Sequence, residues 1–329
     1  MTPLPKSRRD IWNQRAVNEK MKYGRFINPR RFIDAPPDWN KIFPNPGKLM
    51  VEIGFGSGEF LCSKAIENPE HNFVGFETSL LSVVKTLNRL ETLSLDNVVL
   101  ALLDGRFALR ELFFDESVSA VFVNFPCPWP KKRHAKRRLI TEDFVSTLSA
   151  VLEKNGYFKL VTDVRWLAEE AWEMFQKNGC FEPGELKIGP VRKVQTKYER
   201  KWLSQGKRIY RLVVRKKSQG HVERMVTWEM PHLHIETPDL SNLERFVDTV
   251  YQEGDKTFVI KDVYADIKNE NYLFLIFSTD HGFQQEYYLR LARKKEGGWI
   301  LKLDSTTVPF RTPAVKWSVA KIGELLGQP

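Results

Sequence analysis

Val51-Glu52-Ile53-Gly54-Phe55-Gly56-Ser57-Gly58-Glu59 is the stretch that decides the fold: an apolar run ends in three closely spaced glycines and passes at once into a helical pattern. Glycines at a strand-to-helix turn let the backbone bend sharply and approach a bound molecule without Cβ atoms in the way. The spacing is G-x-G-x-G, one residue shorter than the dinucleotide G-x-G-x-x-G, which favours another adenosine ligand over NAD. The lysine and hydroxyl pair of a phosphate-binding P-loop is missing.

Working outward, β-branched and apolar runs alternate with amphipathic stretches, the sign of βαβ units around a parallel sheet. Strands are expected at Leu49–Phe55, Asn72–Thr78, Asn97–Asp104, Ala120–Pro126 and Gly156–Asp163. Helices are expected near Ser57–Asn68, Ser79–Ser94, Arg106–Phe113, Thr141–Glu153 and Arg165–Asn178. Two more strands, near Glu185–Ile188 and Arg208–Arg215, complete a Rossmann-like, doubly wound, mostly parallel seven-stranded sheet with its ligand site at the carboxyl ends of the strands. Glu77 closes the second strand, where a carboxylate can accept from both ribose hydroxyls. Asp104 closes the third and can reach an adenine amino group; each acid is also a candidate helix cap.

The polar break Lys216-Lys217-Ser218-Gln219-Gly220 marks a boundary, giving a basic amino arm at 1–47, an α/β domain at 48–217 and a small α+β domain at 218–329. In the last, strands are expected at Val222–Trp228, Thr257–Ala265, Tyr272–Phe277, Gln285–Ala292 and Trp299–Asp304, with helices near Ser241–Tyr251 and Ala314–Leu325. His232 and His234 alternate on a further strand and share a face, but two imidazoles without other ligands at metal spacing read as structural.

The 329 residues carry a net charge of +10, and the boundary splits it unevenly: +13 falls on 1–217 and −3 on 218–329. The basic part calls for a polyanion, nucleic acid before membrane, because no basic helix with a lipid-facing stripe is evident. The start of the chain has no apolar signal core, no run is long enough to cross a bilayer, and Cys62, Cys127 and Cys180 are too far apart for a C-x-x-C site. A reducing cytoplasm is therefore the expected compartment. No feature points to a stable protein partner, and monomer and homodimer are both open.

After the fourth strand comes Asn124-Phe125-Pro126-Cys127-Pro128-Trp129-Pro130-Lys131-Lys132-Arg133-His134-Ala135-Lys136-Arg137-Arg138. The prolines suggest an extended, rigid segment, Trp129 offers a flat face for a base, and Lys131, Arg133, His134 and Arg137 belong to a cationic run suited to phosphates. A further basic and aromatic cluster, from Lys6-Ser7-Arg8-Arg9 to Arg31 and Phe32, could fold over RNA or simply fray.

The glycine loop with Glu77 and Asp104 resembles the class I S-adenosylmethionine-dependent methyltransferases, with Glu52 at their acidic position. The later segment narrows this, because it resembles the F-P-D-P-W-x-K-x-R-H-x-K-R-R signature of the tRNA guanine-N7 methyltransferases, which modify guanine at position 46. Thr196-Lys197-Tyr198-Glu199-Arg200 is similar to the family's T-K-[FY]-E-x-R. The resemblance implies S-adenosylmethionine as cofactor and tRNA as substrate. It places Glu52, Gly54, Gly56, Gly58, Glu77, Asp104 and Asn124 at the cofactor, and Asp163, Thr196 and Glu199 around the guanine.

One departure stands out: Cys127 occupies the place of the family aspartate. Either Cys127 positions the guanine while Asp163 helps stabilise its developing charge, or the thiol acts directly, as in covalent cytosine-5 methylation. Two other readings stay open. Asn124-Phe125-Pro126 stands where amino methyltransferases carry N-P-P-Y, and the loss of the aspartate would also suit a non-catalytic RNA-binding relative.

Overall fold

The computed structural model describes residues 24–28, 30, 36–189, 197–227, 229, 231–268 and 270–327. The basic and aromatic residues expected before Gly24, together with Arg31, Phe32 and Thr196, lie outside them. The chain forms two compact units, one ending at Glu223 and the other running from Arg224, with Arg30 belonging to the second.

The first unit is built on β1 (Phe26–Ile27), β2 (Lys48–Ile53), β3 (His71–Glu77), β4 (Val98–Leu102), β5 (Val118–Asn124), β6 (Leu152–Thr162), β7 (Glu185–Ile188) and β8 (Tyr210–Arg215). They form one eight-stranded sheet in the order β1-β4-β3-β2-β5-β6-β8-β7. All pairs from β1 through β6 are parallel, while β8 runs antiparallel to both β6 and β7, so the sheet is mixed. The expected seven strands thus gain an eighth: Leu100 N donates to Arg25 O, and the short β1 docks beside β4. The central strands are buried almost end to end, as Val51, Phe73, Val74, Phe76, Leu100, Val121 and Val123 show, which suits a parallel sheet with both faces covered.

Helices α1 (Glu59–Glu67), α2 (Leu80–Thr92), α3 (Gly105–Glu111), α4 (Glu142–Val151), α5 (Arg165–Asn178) and α6 (Lys197–Ser204) connect the strands. Local chemistry sets where they start and stop. The Ser79 hydroxyl accepts from Ser82 N at the head of α2, the Thr141 hydroxyl accepts from Phe144 N at the head of α4, and Gly179 ends α5 at φ +77°. Chain order reverses between β2 and β5, and in an open α/β sheet that is where a crevice opens at the strand ends.

Two boundaries differ from expectation. Residues 36–47 are no separate arm: Trp39 is buried, donates Nε1–H to Leu112 O at 2.8 Å and stacks on Phe113 at 4.9 Å. At the other end the unit runs on past Lys217, because the polar segment is bonded back into it. Lys217 N donates to Cys180 O, Gly220 N to Ser149 O, and the fully buried Lys216 ammonium to the carbonyls of Ala150 and Leu152 and to Gln219 Oε1. That ammonium satisfies carbonyls where α4 passes directly into β6.

The second unit is α+β. Strands β9 (His232–Ile235), β10 (Val250–Glu253), β11 (Lys256–Ala265), β12 (Tyr272–Asp280), β13 (Phe283–Arg293) and β14 (Trp299–Leu303) form an antiparallel sheet in the order β10-β11-β12-β13-β14-β9. Helix α7 (Pro313–Gly327) sets Val315, Val319, Ile322 and Leu326 in one core with Phe258, Ile276, Tyr287 and Leu289. His232 and His234 share a face of β9, their rings 5.6 Å apart. The helix expected at Ser241–Tyr251 shrinks to a single 3-10 turn, Leu243–Phe246, because pairing of Val250 onward with β11 claims its end for a strand. Residues 222–227 form no strand. Among the described residues, no helix is long and apolar enough to cross a membrane, and no cluster of His, Cys, Asp and Glu is arranged to hold a metal.

Candidate active site

A cavity of about 450 Å³ opens at the strand ends of the first unit, at the reversal point of the sheet. Glu52, Gly54, Gly56, Glu77, Asp104, Asn124, Cys127, Trp129 and Arg137, drawn from separate parts of the sequence, all line it. Phe55, Phe60 and Phe76 supply apolar wall.

The glycine loop is held by the acid that follows it. Gly54 and Gly56 have φ of +74° and +55°, with open space where a Cβ would point. Gly56 N donates to Glu77 Oε2 at 3.0 Å, while Thr78 N and Ser79 N donate to Oε1 at 2.8 and 3.1 Å. The Thr78 hydroxyl also donates to Oε1, at 3.5 Å, so Oε1 is fully engaged, while Oε2, with Gly56 N as its one donor, keeps an acceptor position. Gly58 does not line the cavity. Its φ is +72°, and a Cβ there would lie 2.3 Å from Thr86 Cγ2, so it is needed for the close approach of α1 and α2.

Asp104 is a helix cap and also faces the cavity. Oδ1 accepts from Arg106 N at 2.8 Å and Phe107 N at 3.2 Å, which caps α3, and the same carboxylate lines the cavity. Asn124, ending β5, donates Nδ2–H to Glu52 Oε1 at 2.8 Å, so the buried Glu52 and the Asn124 amide orient each other.

The loop after β5 is less extended than its prolines suggest. Phe125 and Trp129 stand at φ +52° and +46°, a left-handed conformation that costs a non-glycine residue roughly 1–2 kcal/mol. Phe125 N donates to Val161 O at 2.7 Å. Beyond the kinks, Lys132–Arg137 forms a 3-10 helix, and Lys131, just before it, and Lys132, Arg133 and Arg137, on it, are exposed. The Trp129 ring already has company: the Arg137 guanidinium lies 5.0 Å from its centroid and the His134 ring meets it edge-on at 5.6 Å.

Lys131, Arg133, His134 and Asp163 are not part of the cavity lining. Asp163 is engaged by Lys207, whose ammonium lies 2.8 Å from Oδ2 and 3.4 Å above the Trp202 ring. Glu199 lies on α6, and its side chain is outside what is described. Sequence reading missed the contact that ties this helix to the glycine loop: Arg200 Nη2 donates to Glu59 Oε1 and Oε2 at 3.2 and 3.3 Å, and Glu59 lines the cavity. The only hint was the place of Glu59, directly after the last loop glycine.

A reversal-point cavity walled by a glycine loop, an acid at the end of each of the next two strands, and an antiparallel strand inserted beside β6 define the class I methyltransferase arrangement. A family model described as "Putative methyltransferase" matches residues 46–212. A tRNA (guanine-N(7)-)-methyltransferase of Thermotoga maritima is 45% identical over 304 residues, covering 91% of this chain and 96% of its own length. One of Aquifex aeolicus is 32% identical over 285 residues, covering 84% and 94%. The chain belongs to the tRNA (guanine-N(7)-)-methyltransferase family. A relative of the same name from Oceanobacillus iheyensis aligns over only 179 residues, 53% of this chain but 83% of its own, at 35% identity.

Proposed function

We propose that this chain transfers the methyl group of S-adenosylmethionine to N7 of the guanine at position 46 in tRNA. The observation that carries this reading is the convergence of the glycine loop, Glu77, Asp104, Asn124 and the Cys127–Arg137 loop on one cavity. The cavity suits the cofactor: the open side of Gly54 and Gly56 admits a close-lying adenosine, and Glu77 and Asp104 stand at the ends of neighbouring strands. S-adenosylmethionine supplies an electrophilic sulfonium methyl. Guanine N7 carries a lone pair and no proton, so the N–C bond forms as the S–C bond breaks, with S-adenosylhomocysteine leaving and no base required.

What the protein contributes is alignment and a polar setting for the positive charge that grows on the purine. On this reading Cys127 shapes the guanine side of the cavity, and Asp163 becomes available to the purine when a tRNA phosphate draws Lys207 away. Lys131, Arg133 and Arg137 belong to the exposed cationic face that tRNA meets, with the half-buried His134 beside them.

The test is incubation with labelled S-adenosylmethionine and bulk tRNA, followed by nucleoside analysis. Label is expected in 7-methylguanosine alone, and not when adenine replaces guanine at position 46 of the tRNA. A different methylated nucleoside, or none, overturns the reading. Cys127→Ala is expected to keep activity within about tenfold of the parent, since removing a contact that only positions is a modest loss. Complete loss with intact cofactor binding would assign the thiol a chemical role.

The cysteines also report on the site directly. Burial pushes the Cys62 thiol up to about 11, whereas Cys127 is exposed on the cavity wall. Iodoacetamide at about pH 8 is expected to modify Cys127 and leave Cys62 untouched until the protein unfolds. S-adenosylhomocysteine should slow the Cys127 reaction, as peptide mass spectrometry would show; equal rates with and without it would remove Cys127 from the cofactor cavity.

A further inference from the structure

Arg138 ends the basic run, and by sequence alone it counts among the charges offered to RNA. The structure gives it other work. Its side chain is only 15% exposed, and Nη1 donates to both carboxylate oxygens of Glu170 on α5, at 2.9 and 3.0 Å. The guanidinium lies 4.8 Å from the centroid of the Trp166 ring, and Nε donates to the Trp129 carbonyl at 3.4 Å. Arg106 Nη1 donates to the Arg138 carbonyl at 3.0 Å. Arg106 N is in turn bonded to Asp104 Oδ1. A continuous set of bonds therefore runs from the acid at the end of β4, through Arg106 and Arg138, to Trp129.

Its neighbour is placed differently. Arg137 is exposed, lines the cavity and lies over the Trp129 ring. A guanidinium already matched to a carboxylate and stacked on an indole has little charge left for a phosphate. Meanwhile the left-handed Trp129 persists only if its surroundings over-determine it. The Arg138 bond to its carbonyl is one such constraint.

We propose that the doublet divides its labour: Arg138, with Glu170 and Trp166, is a positioning residue that fixes the Trp129 wall of the cavity, and Arg137 is the member that meets RNA. The reading of a tRNA guanine-N7 methyltransferase underlies this proposal. Lysine cannot reproduce the planar fork, so Arg138→Lys should expose the role without removing the charge.

Methyl transfer is measured at saturating tRNA, and tRNA binding over a range of salt. Arg138→Lys is expected to lower kcat at least about tenfold, because small misplacements at a reacting centre are costly. The slope of log Kd for tRNA against log salt should match the parent. A phosphate contact predicts the reverse, a shallower slope with kcat preserved. Glu170→Gln separates the two sharply. Removing a negative charge beside a phosphate site would tighten tRNA binding, whereas loss of the brace lowers kcat as Arg138→Lys does, and the double variant falls no further than either single one. Arg137→Gln should weaken binding and flatten the slope. Lys177→Gln, which removes the exposed pair with Glu142, is the control and should change nothing.

Protection of Cys127 by S-adenosylhomocysteine gives a readout independent of turnover, since Cys127 belongs to the braced loop; it should be lost in Arg138→Lys, with the thermal midpoint within a few degrees of the parent. If that protection is lost while even the parent makes no 7-methylguanosine, the brace stands and the proposed function falls. If Arg138→Lys keeps kcat and protection, or changes the salt slope instead, the brace is overturned.

Discussion

Glu77→Ala is expected to raise the Kd for S-adenosylmethionine by at least about 100-fold. The carboxylate acts twice in this site. It accepts from Gly56 N, which ties the glycine loop to the end of β3, and from Thr78 N and Ser79 N in its own turn, and on the proposed reading its remaining acceptor position takes a ribose hydroxyl. Hydrogen bonds to a charged group contribute roughly 1.5–3 kcal/mol each, so losing a ribose contact together with the Gly56 bond accounts for two orders of magnitude. Glu77→Gln keeps one carbonyl acceptor and should fall between the two. Calorimetric titration decides the matter: a change below about threefold for the alanine variant would mean that the ribose is held elsewhere.

Gly58→Ala is the second large effect, and it works through packing. At φ +72° any Cβ is strained by roughly 1–2 kcal/mol, and here it would also come within 2.3 Å of Thr86 Cγ2 and 2.8 Å of Oγ1. Thr86 is fully buried on α2, and its hydroxyl donates to Gly56 O at 3.2 Å, so it cannot retreat without pulling on the loop. Overpacking typically adds about 1–3 kcal/mol, which gives an expected destabilisation of roughly 2–5 kcal/mol together with weaker cofactor binding. Urea denaturation would show it. Adding Thr86→Ser removes the nearer clash and keeps the hydroxyl, so the double variant should recover part of the loss; no recovery would place the strain in the backbone alone.

Both effects fall on residues that the sequence singled out, but for reasons it could express only in part. The βαβ alternation and the glycine loop were legible because strand ends and turns are written locally, in β-branched runs and in residues suited to positive φ. The cavity lining followed from the same logic: Glu52, Glu77, Asp104 and Asn124 all stand at or near strand ends, which the topology gathers at one edge. What stayed hidden was long-range. The Arg138–Glu170 and Arg200–Glu59 pairs join residues 32 and 141 positions apart, and nothing local distinguishes a bracing arginine from one that faces solvent. The kinks at Phe125 and Trp129 were likewise unreadable, because neither residue favours a left-handed backbone and the surroundings impose it. In the second unit the cause is local instead: β10 folds back on the strand that follows it, Val250 opposite Val259 and Glu253 opposite Lys256, and this hairpin prevailed over the helical pattern.

The buried Lys216 bears on how the protein can be dissected. It lies just after β8, yet its ammonium serves the carbonyls of Ala150 and Leu152, and Gln219 and Gly220 bond to that same junction. A fragment cut at the polar break after Lys217 would keep the buried cation and discard the side-chain amide that shares its site. The edge of the methyltransferase unit is thus set by the last residue whose hydrogen bonds return to it, and a self-sufficient piece has to extend through the Lys216–Gly220 turn before any second module is removed.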